Sequence, residues 1–163
     1  MVASETHSVD LSFNPRLESV TAVRRFLEVH LGKLMRDAQL TSRMAVTVHE
    51  LLENAAKYST GGGSRLHVEV DPAMPRTLSI SVANNADPRH LPELRATIDE
   101  LSSAGDPFDV YQRFLLRAAT RDEGSGLGLA RICVEAQMDV SLETSDQGIC
   151  VKAVATLPTE STK

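Results

Sequence analysis

The segment that decides the fold lies at residues 49–59, which read HELLENAAKYS. It predicts the C-terminal half of a helix, followed by a glycine turn at residues 61–63. Glu50, Asn54 and Lys57 fall on one stripe of this helix, because residues three and four apart are neighbours on a helix surface. The stripe combines a carboxylate that accepts a proton, an amide oxygen that ligates a hard cation and an ammonium that contacts phosphate. A solvated polar face is the alternative interpretation.

A second glycine-rich segment lies at residues 124–128, which read GSGLG, and it precedes an apolar helix predicted to run to about Gln137. Closely spaced glycines let a ligand approach the backbone, and the N-terminus of a helix offers free N–H groups and a partial positive charge. Phosphate is therefore the expected ligand, and tight helix packing is the alternative reason for the glycines. The spacing does not match the dinucleotide fingerprint, and Gly128 is not followed by the Lys-Ser/Thr of a P-loop.

Composition indicates one soluble domain. The chain has 163 residues, of which 42% are hydrophobic and 24% are charged. We expect a flexible N-terminus at 1–8, a domain at 9–157 and a tail at 158–163. The net charge of −5, without a basic run, argues against nucleic-acid binding.

The cellular location is predicted from the same composition. No apolar segment approaches the roughly 20 residues that a membrane span needs, and no secretory signal begins the sequence. Cys133 and Cys150 fall in apolar segments without metal-ligand spacing, which predicts buried thiols. These features predict a cytoplasmic protein with no membrane partner.

Apolar periodicity predicts the order strand, two helices, hairpin, helical insert, helix and hairpin. The first strand is expected at 9–13, the first helix from Glu18 to about Ala38, and the second helix is expected to be capped by Thr41 or Ser42. Further elements are predicted at 64–70, 78–82, 91–101, 110–119, 129–137, 140–143 and 149–157. Because the strands cluster and the helices segregate, we predict an α+β two-layer sandwich, a mostly antiparallel mixed sheet with helices on one face.

These motifs, in this order, resemble the histidine-kinase-like ATPases of the gyrase, histidine kinase and MutL type. The resemblance rests on a Glu-x-x-x-Asn helix, a hairpin ending in an Asn-rich turn, a helical insert and Gly-x-Gly-x-Gly-Leu on a helix. It covers roughly residues 9 to 157 and implies the Bergerat-type ATP-binding fold. The small size, without dimerisation helices carrying a phosphoacceptor histidine, looks most like the anti-sigma-factor serine/threonine kinase branch.

The resemblance implies a site for ATP and Mg²⁺. Asn54 would ligate the Mg²⁺, and Glu50 would act as general base on a substrate Ser/Thr hydroxyl or a water. Lys57 would lie near the phosphates or near a lid formed by residues 88–123. The remaining nucleotide contacts would come from Asn84, Asn85, Gly124, Ser125, Gly126, Leu127 and Gly128.

The adenine-reading box departs from the family pattern. The family has Asp-x-Gly-x-Gly at this point, whereas residues 84–88 read NNADP. Asn84 replaces the aspartate, and charge-assisted hydrogen bonds are about twice as strong as neutral ones. We expect a loss on the order of 1–2 kcal/mol in nucleotide affinity. Ala86 in place of glycine also narrows the allowed backbone.

The expected function is that of an ATP-dependent protein serine/threonine kinase of the partner-switching type. It would bind and phosphorylate a small regulatory protein or bind a sigma factor, and a homodimer is one expected assembly. The eroded adenine box leaves a second function open, a non-catalytic pseudokinase that sequesters a protein partner. A catalytic domain serving a separate histidine-containing protein is a third. The two insert helices are interpreted as a docking surface or as a cover over the cleft.

Overall fold

The computed structural model describes residues 6–35, 37–73, 75–103, 105–120 and 126–157. Its strands are β1 (His7–Phe13), β2 (Ser64–Asp71), β3 (Thr77–Asn84), β4 (Asp139–Ser145) and β5 (Gly148–Thr156). Its α-helices are α1 (Leu17–Met35), α2 (Ala38–Tyr58), α3 (Leu91–Ser102), α4 (Pro107–Thr120) and α5 (Leu127–Val134). A short 3₁₀ turn, Pro88–His90, leads into α3.

The five strands form one sheet in the order β1-β2-β3-β5-β4. Among the residues that the structure describes, all four pairings are antiparallel, and the parallel pairing that a mixed sheet implies is absent. Side chains alternate between the two faces. Val68, Ile80 and Ala153 are aligned across three strands and are buried, whereas their neighbours Glu69 and Lys152 are half-exposed. The pattern confirms the predicted α+β fold with helices on one face of the sheet.

Helix α2, which carries the polar stripe of Glu50, Asn54 and Lys57, is packed against several other elements. Its apolar residues Met44, Val48, Leu51 and Leu52 are almost fully buried, and they pack in one core with α1, α5 and β3. Burying such a side chain contributes roughly 1.5–3 kcal/mol. The polar stripe of α2 is therefore held at a defined position relative to the sheet.

The boundaries of the first two helices differ from the prediction. Helix α1 ends at Met35, and α2 begins at Ala38 with Asp37 as its N-cap. The Asp37 Oδ1 atom accepts a hydrogen bond from the Leu40 N–H at 3.0 Å. The predicted caps at Thr41 and Ser42 are wrong, because the aspartate reaches the free N–H groups one turn earlier.

The helix after the glycine turn is also shorter than predicted. Helix α5 ends at Val134, and Gln137 adopts a left-handed conformation with φ 52°. The Arg43 side chain of α2 donates hydrogen bonds to the carbonyls of Ala136 (2.6 Å) and Gln137 (3.1 Å). These bonds satisfy carbonyls just beyond the end of α5 and dock it on α2.

The two cysteines are free thiols, and both are half-buried rather than fully buried. Burial raises the pKa of Cys133 to about 11 and also raises the pKa of Cys150. Within the described ranges, no helix has the length and apolar character required to cross a bilayer.

Candidate functional site

A cleft of about 540 Å³ lies between α2, β3, β5, α3 and the start of α5. This volume falls in the range of roughly 300–1,000 Å³ that is usual for small-molecule sites. Its apolar wall includes Val82, Leu94, Ile149 and Val151, and several of the polar residues singled out in the sequence also line it. The cleft thus combines an apolar surface with a few polar groups, as is usual for small-molecule sites.

The polar stripe of α2 lines this cleft as predicted. Glu50, Asn54 and Lys57 all contribute to its wall. The Glu50 residue is 7% exposed, Asn54 is half-buried and Lys57 is exposed. The Lys57 ammonium lies 3.2 Å from Glu53 Oε2 on the same helix, so Lys57 already has a partner at the rim of the cleft.

The glycine turn faces the α2 stripe across the cleft. Gly126 caps α5 in the left-handed conformation, with φ 71°. A Cβ atom there would lie 2.7 Å from Phe114 Cε1 and 2.8 Å from Thr97 Cγ2, so only glycine fits. Leu127 and Gly128 also line the cleft. The predicted contacts at Gly124 and Ser125 lie outside the described residues.

The start of helix α5 lies in close contact with the Glu50 carboxylate of α2. A Cβ atom on Gly128 would overlap Glu50 Oε2. The absence of a side chain therefore lets the backbone at the start of α5 approach Glu50. The N-terminal amides of that helix carry a partial positive charge, which favours an anion in the same cleft.

The Asn-rich turn contributes one of its two predicted residues to the cleft. Asn84 is 8% exposed and lines the cleft together with Ala86. Asn85 lies outside the cleft lining, and its carbonyl accepts a hydrogen bond from Thr60 N at 2.9 Å. Because successive side chains at a strand end point to opposite faces, Asn84 and Asn85 cannot both face the cleft.

Two aromatic residues at the cleft were not assigned from the sequence. The rings of Tyr58 and His90 are 5.1 Å apart and tilted, and both residues line the cleft. The backbone brings them together because Asp87 N donates a hydrogen bond to the Tyr58 carbonyl at 3.2 Å. The end of α2 is thereby joined to the turn that follows β3.

Arg131 contacts the predicted base, although it was not predicted as a site residue from the sequence. Its Nη1 atom donates a hydrogen bond to Glu50 Oε1 at 2.5 Å. Its Nε and Nη2 atoms donate to the two carboxylate oxygens of Glu135 at 3.0 and 3.2 Å. The Tyr111 hydroxyl of α4 donates to Glu135 Oε1 at 2.8 Å. A chain of four residues therefore connects the insert helix with the carboxylate at the cleft.

The charges in this chain shift one another's ionisation. Burial raises the pKa of Glu50, and the nearby Arg131 guanidinium opposes that rise without cancelling it. Hydrogen bonds to Glu135 raise the pKa of Arg131, and those from Arg131 lower the pKa of Glu135. The only sequence signal for Arg131 was its spacing, four residues before Glu135 and three after Gly128 on one helix.

The donor set of the cleft fits a magnesium ion carried by a nucleotide. Among the residues that the structure describes, no three His, Cys, Asp or Glu side chains are grouped to hold a metal. Mg²⁺ bound to phosphates keeps several waters and takes only one or two ligands from the protein. The amide oxygen of Asn54, which lies in the cleft wall, suits this limited role.

Comparison with known proteins identifies the family. The sequence model of the protein family described as histidine kinase-like ATPase domain matches residues 13–155. The chain belongs to this family. A comparison of this chain's sequence with curated proteins gives no match.

One solved structure similar to this domain is a chain in the crystal structure of the SiaB–SiaC complex from Pseudomonas aeruginosa. The TM-score is 0.65 at 16% identity, and the match covers 89% of each chain. At this identity the similarity concerns the fold.

Proposed function

We propose that this histidine kinase-like ATPase domain is an ATP-dependent protein serine/threonine kinase of the partner-switching type. The observation that carries the proposal is the meeting of two sequence signals in one cleft. Glu50 and Asn54 on α2 face the glycine turn at Gly126 and Gly128, and a cavity of about 540 Å³ lies between them. This arrangement supplies a base, a cation ligand and backbone amides around a space of suitable size.

In the proposed reaction, ATP lies with its phosphates near the N-terminus of α5. The Glu50 carboxylate accepts the proton of an acceptor Ser/Thr hydroxyl, and the hydroxyl oxygen bonds to the γ-phosphorus as the bond to the bridging oxygen breaks. The products are a phosphorylated acceptor and ADP. Asn54 would hold Mg²⁺, which would supply positive charge against the phosphates. Catalysis of this kind depends chiefly on positioning and electrostatics.

The acceptor in this proposal is a small regulatory protein related to anti-sigma-factor antagonists. Support comes from the family and from the similar solved structure, which is a complex of two proteins, SiaB and SiaC. A sigma factor is the second proposed partner, and we propose a cytoplasmic location and a homodimer as the assembly. Phe108, Leu115 and Leu116 on α4 expose large apolar surfaces, as a docking face requires.

Calorimetry with Mg²⁺-ADP and Mg²⁺-ATP tests the nucleotide site. We expect binding by the unaltered chain and a loss of at least about tenfold in affinity for Asn54→Ala, since the amide would no longer support the cation. The Gln39→Ala variant is a control on the exposed face of the same helix. An unaltered chain that binds neither nucleotide would refute the kinase proposal.

Label transfer from γ-phosphate-labelled ATP to candidate regulatory proteins tests catalysis. Glu50→Gln should reduce transfer by about 100-fold or more while retaining nucleotide binding, because a positioned general base contributes that much. Equal transfer by Glu50→Gln and the unaltered chain would remove Glu50 from the proposed chemistry.

A non-catalytic partner-binding module is the second candidate function. Two observations favour it: Asn84 stands where the family has the adenine-binding aspartate, and Glu50 is held in an ion pair with Arg131. Such a module would bind its partner with equal affinity in the presence and absence of Mg²⁺-ATP. Turnover of ATP that depends on Glu50 would exclude it.

A further inference from the structure

We propose that Arg131 is a positioning residue that decides which acceptor the Glu50 base serves, keeping the base away from water until a protein acceptor arrives. This inference rests on the proposed kinase function. The Arg131 Nη1 atom donates a hydrogen bond to Glu50 Oε1, which is one of the two oxygens that would take the acceptor proton. The other oxygen, Oε2, is the one against Gly128. Among the described residues, each of the two oxygens therefore has a group of α5 against it.

The guanidinium is held in place from two sides. Glu50 binds it at Nη1, and Glu135 binds it through Nε and Nη2. Arg131 presents several N–H donors in a planar fork, so one side chain bridges two carboxylates at once. The Glu50 side chain is 9% exposed and that of Arg131 is 35% exposed. The base is therefore covered, while the group that covers it remains accessible.

Arg131 also lines a second cavity. This cavity has a volume of about 660 Å³, lies between α1 and α2, and includes Arg131, His49 and Thr41 in its lining. Glu50 lines the nucleotide cleft and Arg131 lines the second cavity, so their ion pair joins a residue of one space to a residue of the other. In the proposed transfer the acceptor hydroxyl must reach both Glu50 and the γ-phosphorus, so a segment that enters from the second cavity has to displace Arg131 from Glu50.

Water and a protein acceptor differ in how they can affect the ion pair of Glu50 and Arg131. A water molecule offers the guanidinium a single acceptor and no second group that would hold Arg131 away from Glu50. A protein segment in the second cavity offers carbonyl and side-chain oxygens that accept hydrogen bonds from the guanidinium, and its hydroxyl can then reach the carboxylate. The pair thus suppresses hydrolysis, in which water attacks the γ-phosphorus, Glu50 takes the water proton, and ADP and phosphate leave.

Phosphate release from Mg²⁺-ATP without any protein acceptor tests the inference. Arg131→Gln removes the ion pair, and we expect hydrolysis to rise about tenfold, a fraction of the roughly 100- to 10,000-fold that a positioned general base contributes. Affinity for Mg²⁺-ATP, measured by calorimetry, should stay within about twofold, a free-energy change that is small beside that of a lost charged hydrogen bond. A side chain with only a structural role would not produce faster turnover when removed.

Two further variants complete the experiment. Arg65→Gln removes the same charge from an exposed position on β2 and should leave hydrolysis unchanged. Arg131→Lys keeps the charge but lacks the fork that spans both carboxylates, so it should also raise hydrolysis and covers the case in which Arg131→Gln does not fold. Unchanged or slower hydrolysis in the folded Arg131 variants, or loss of their nucleotide binding, would overturn the inference alone. Absence of Mg²⁺-ATP binding by the unaltered chain would overturn the kinase proposal and this inference together.

Discussion

Gly128 of α5 and Glu50 of α2 approach so closely that a Cβ atom on the glycine would overlap the carboxylate oxygen Oε2. The two residues are 78 positions apart in the sequence, and the contact sets the position of the proposed base against the start of the helix. Gly128 is helical and does not need a positive φ, so its requirement for glycine is purely one of space.

Gly128→Ala should destabilise the protein by about 1–3 kcal/mol, because an extra methyl in a filled space forces neighbouring groups to move. It should also weaken Mg²⁺-ADP binding, since Glu50 and the start of α5 both line the cleft. Urea denaturation and calorimetry measure the two effects.

Gly32→Ala is the matched control in another helix. The nearest atom to a Cβ at Gly32 is Thr41 Cγ2 at 3.4 Å, an ordinary contact. Replacing glycine by alanine inside a helix contributes about 0.5–1 kcal/mol when there is room, so this variant should be as stable as the unaltered chain or more so. Equal effects at the two glycines would contradict the contact with Glu50.

Glu50→Gln should make the fold more stable relative to the unaltered chain as the pH rises. Burial raises the pKa of Glu50 above its ordinary value of 4.5. Below pH 4.5 the carboxyl is mainly protonated in both the folded and the unfolded chain, so its ionisation does not lower the free energy of unfolding. As the pH rises through the folded-state pKa, the buried group ionises at a cost in stability that glutamine avoids.

Urea denaturation of both proteins at pH 4 and at pH 8 measures this difference. We expect the two midpoints to be similar at pH 4 and the midpoint of Glu50→Gln to be higher at pH 8. A lower midpoint for Glu50→Gln at pH 8 would show that the ion pair with Arg131 outweighs the effect of burial.

Asp37→Ala should cost about 1 kcal/mol of stability, because it removes the side-chain acceptor that caps α2. The Asp37→Ser variant retains an acceptor and should recover most of the loss. Ser42→Ala should be neutral, since Ser42 is exposed and does not cap the helix. Thermal unfolding of the three variants separates the observed cap from the one expected from the sequence.

Cys133 should react slowly with iodoacetamide in the native protein at pH 7.5. Burial raises its pKa to about 11, and only the thiolate reacts. A rise of about two units above a free thiol lowers the thiolate fraction about 100-fold. Mass spectrometry of native and urea-unfolded protein follows the alkylation. Similar rates in the two states would contradict the burial of this thiol.

Local patterns predicted much of this architecture. The alternation in β2, β3 and β5 and the apolar period of α2 reflect which face each element buries, and that information lies in consecutive residues. The same patterns could not place the cap of α2 at Asp37, since Thr41 and Ser42 were also able to serve. They could not show that Asn85 turns away from the cleft, because that depends on the strand end and its pairing.

By itself the sequence determined the fold class and the two polar segments, because amphipathic periods and glycine spacing are local properties of the chain. Only the tertiary structure decided that Glu50 is buried beside Gly128 and paired with Arg131, and that the insert helix reaches this pair through Tyr111 and Glu135. Contacts between residues about 80 positions apart arise from the packing of whole helices on the sheet, and spacing along the chain carries no record of them.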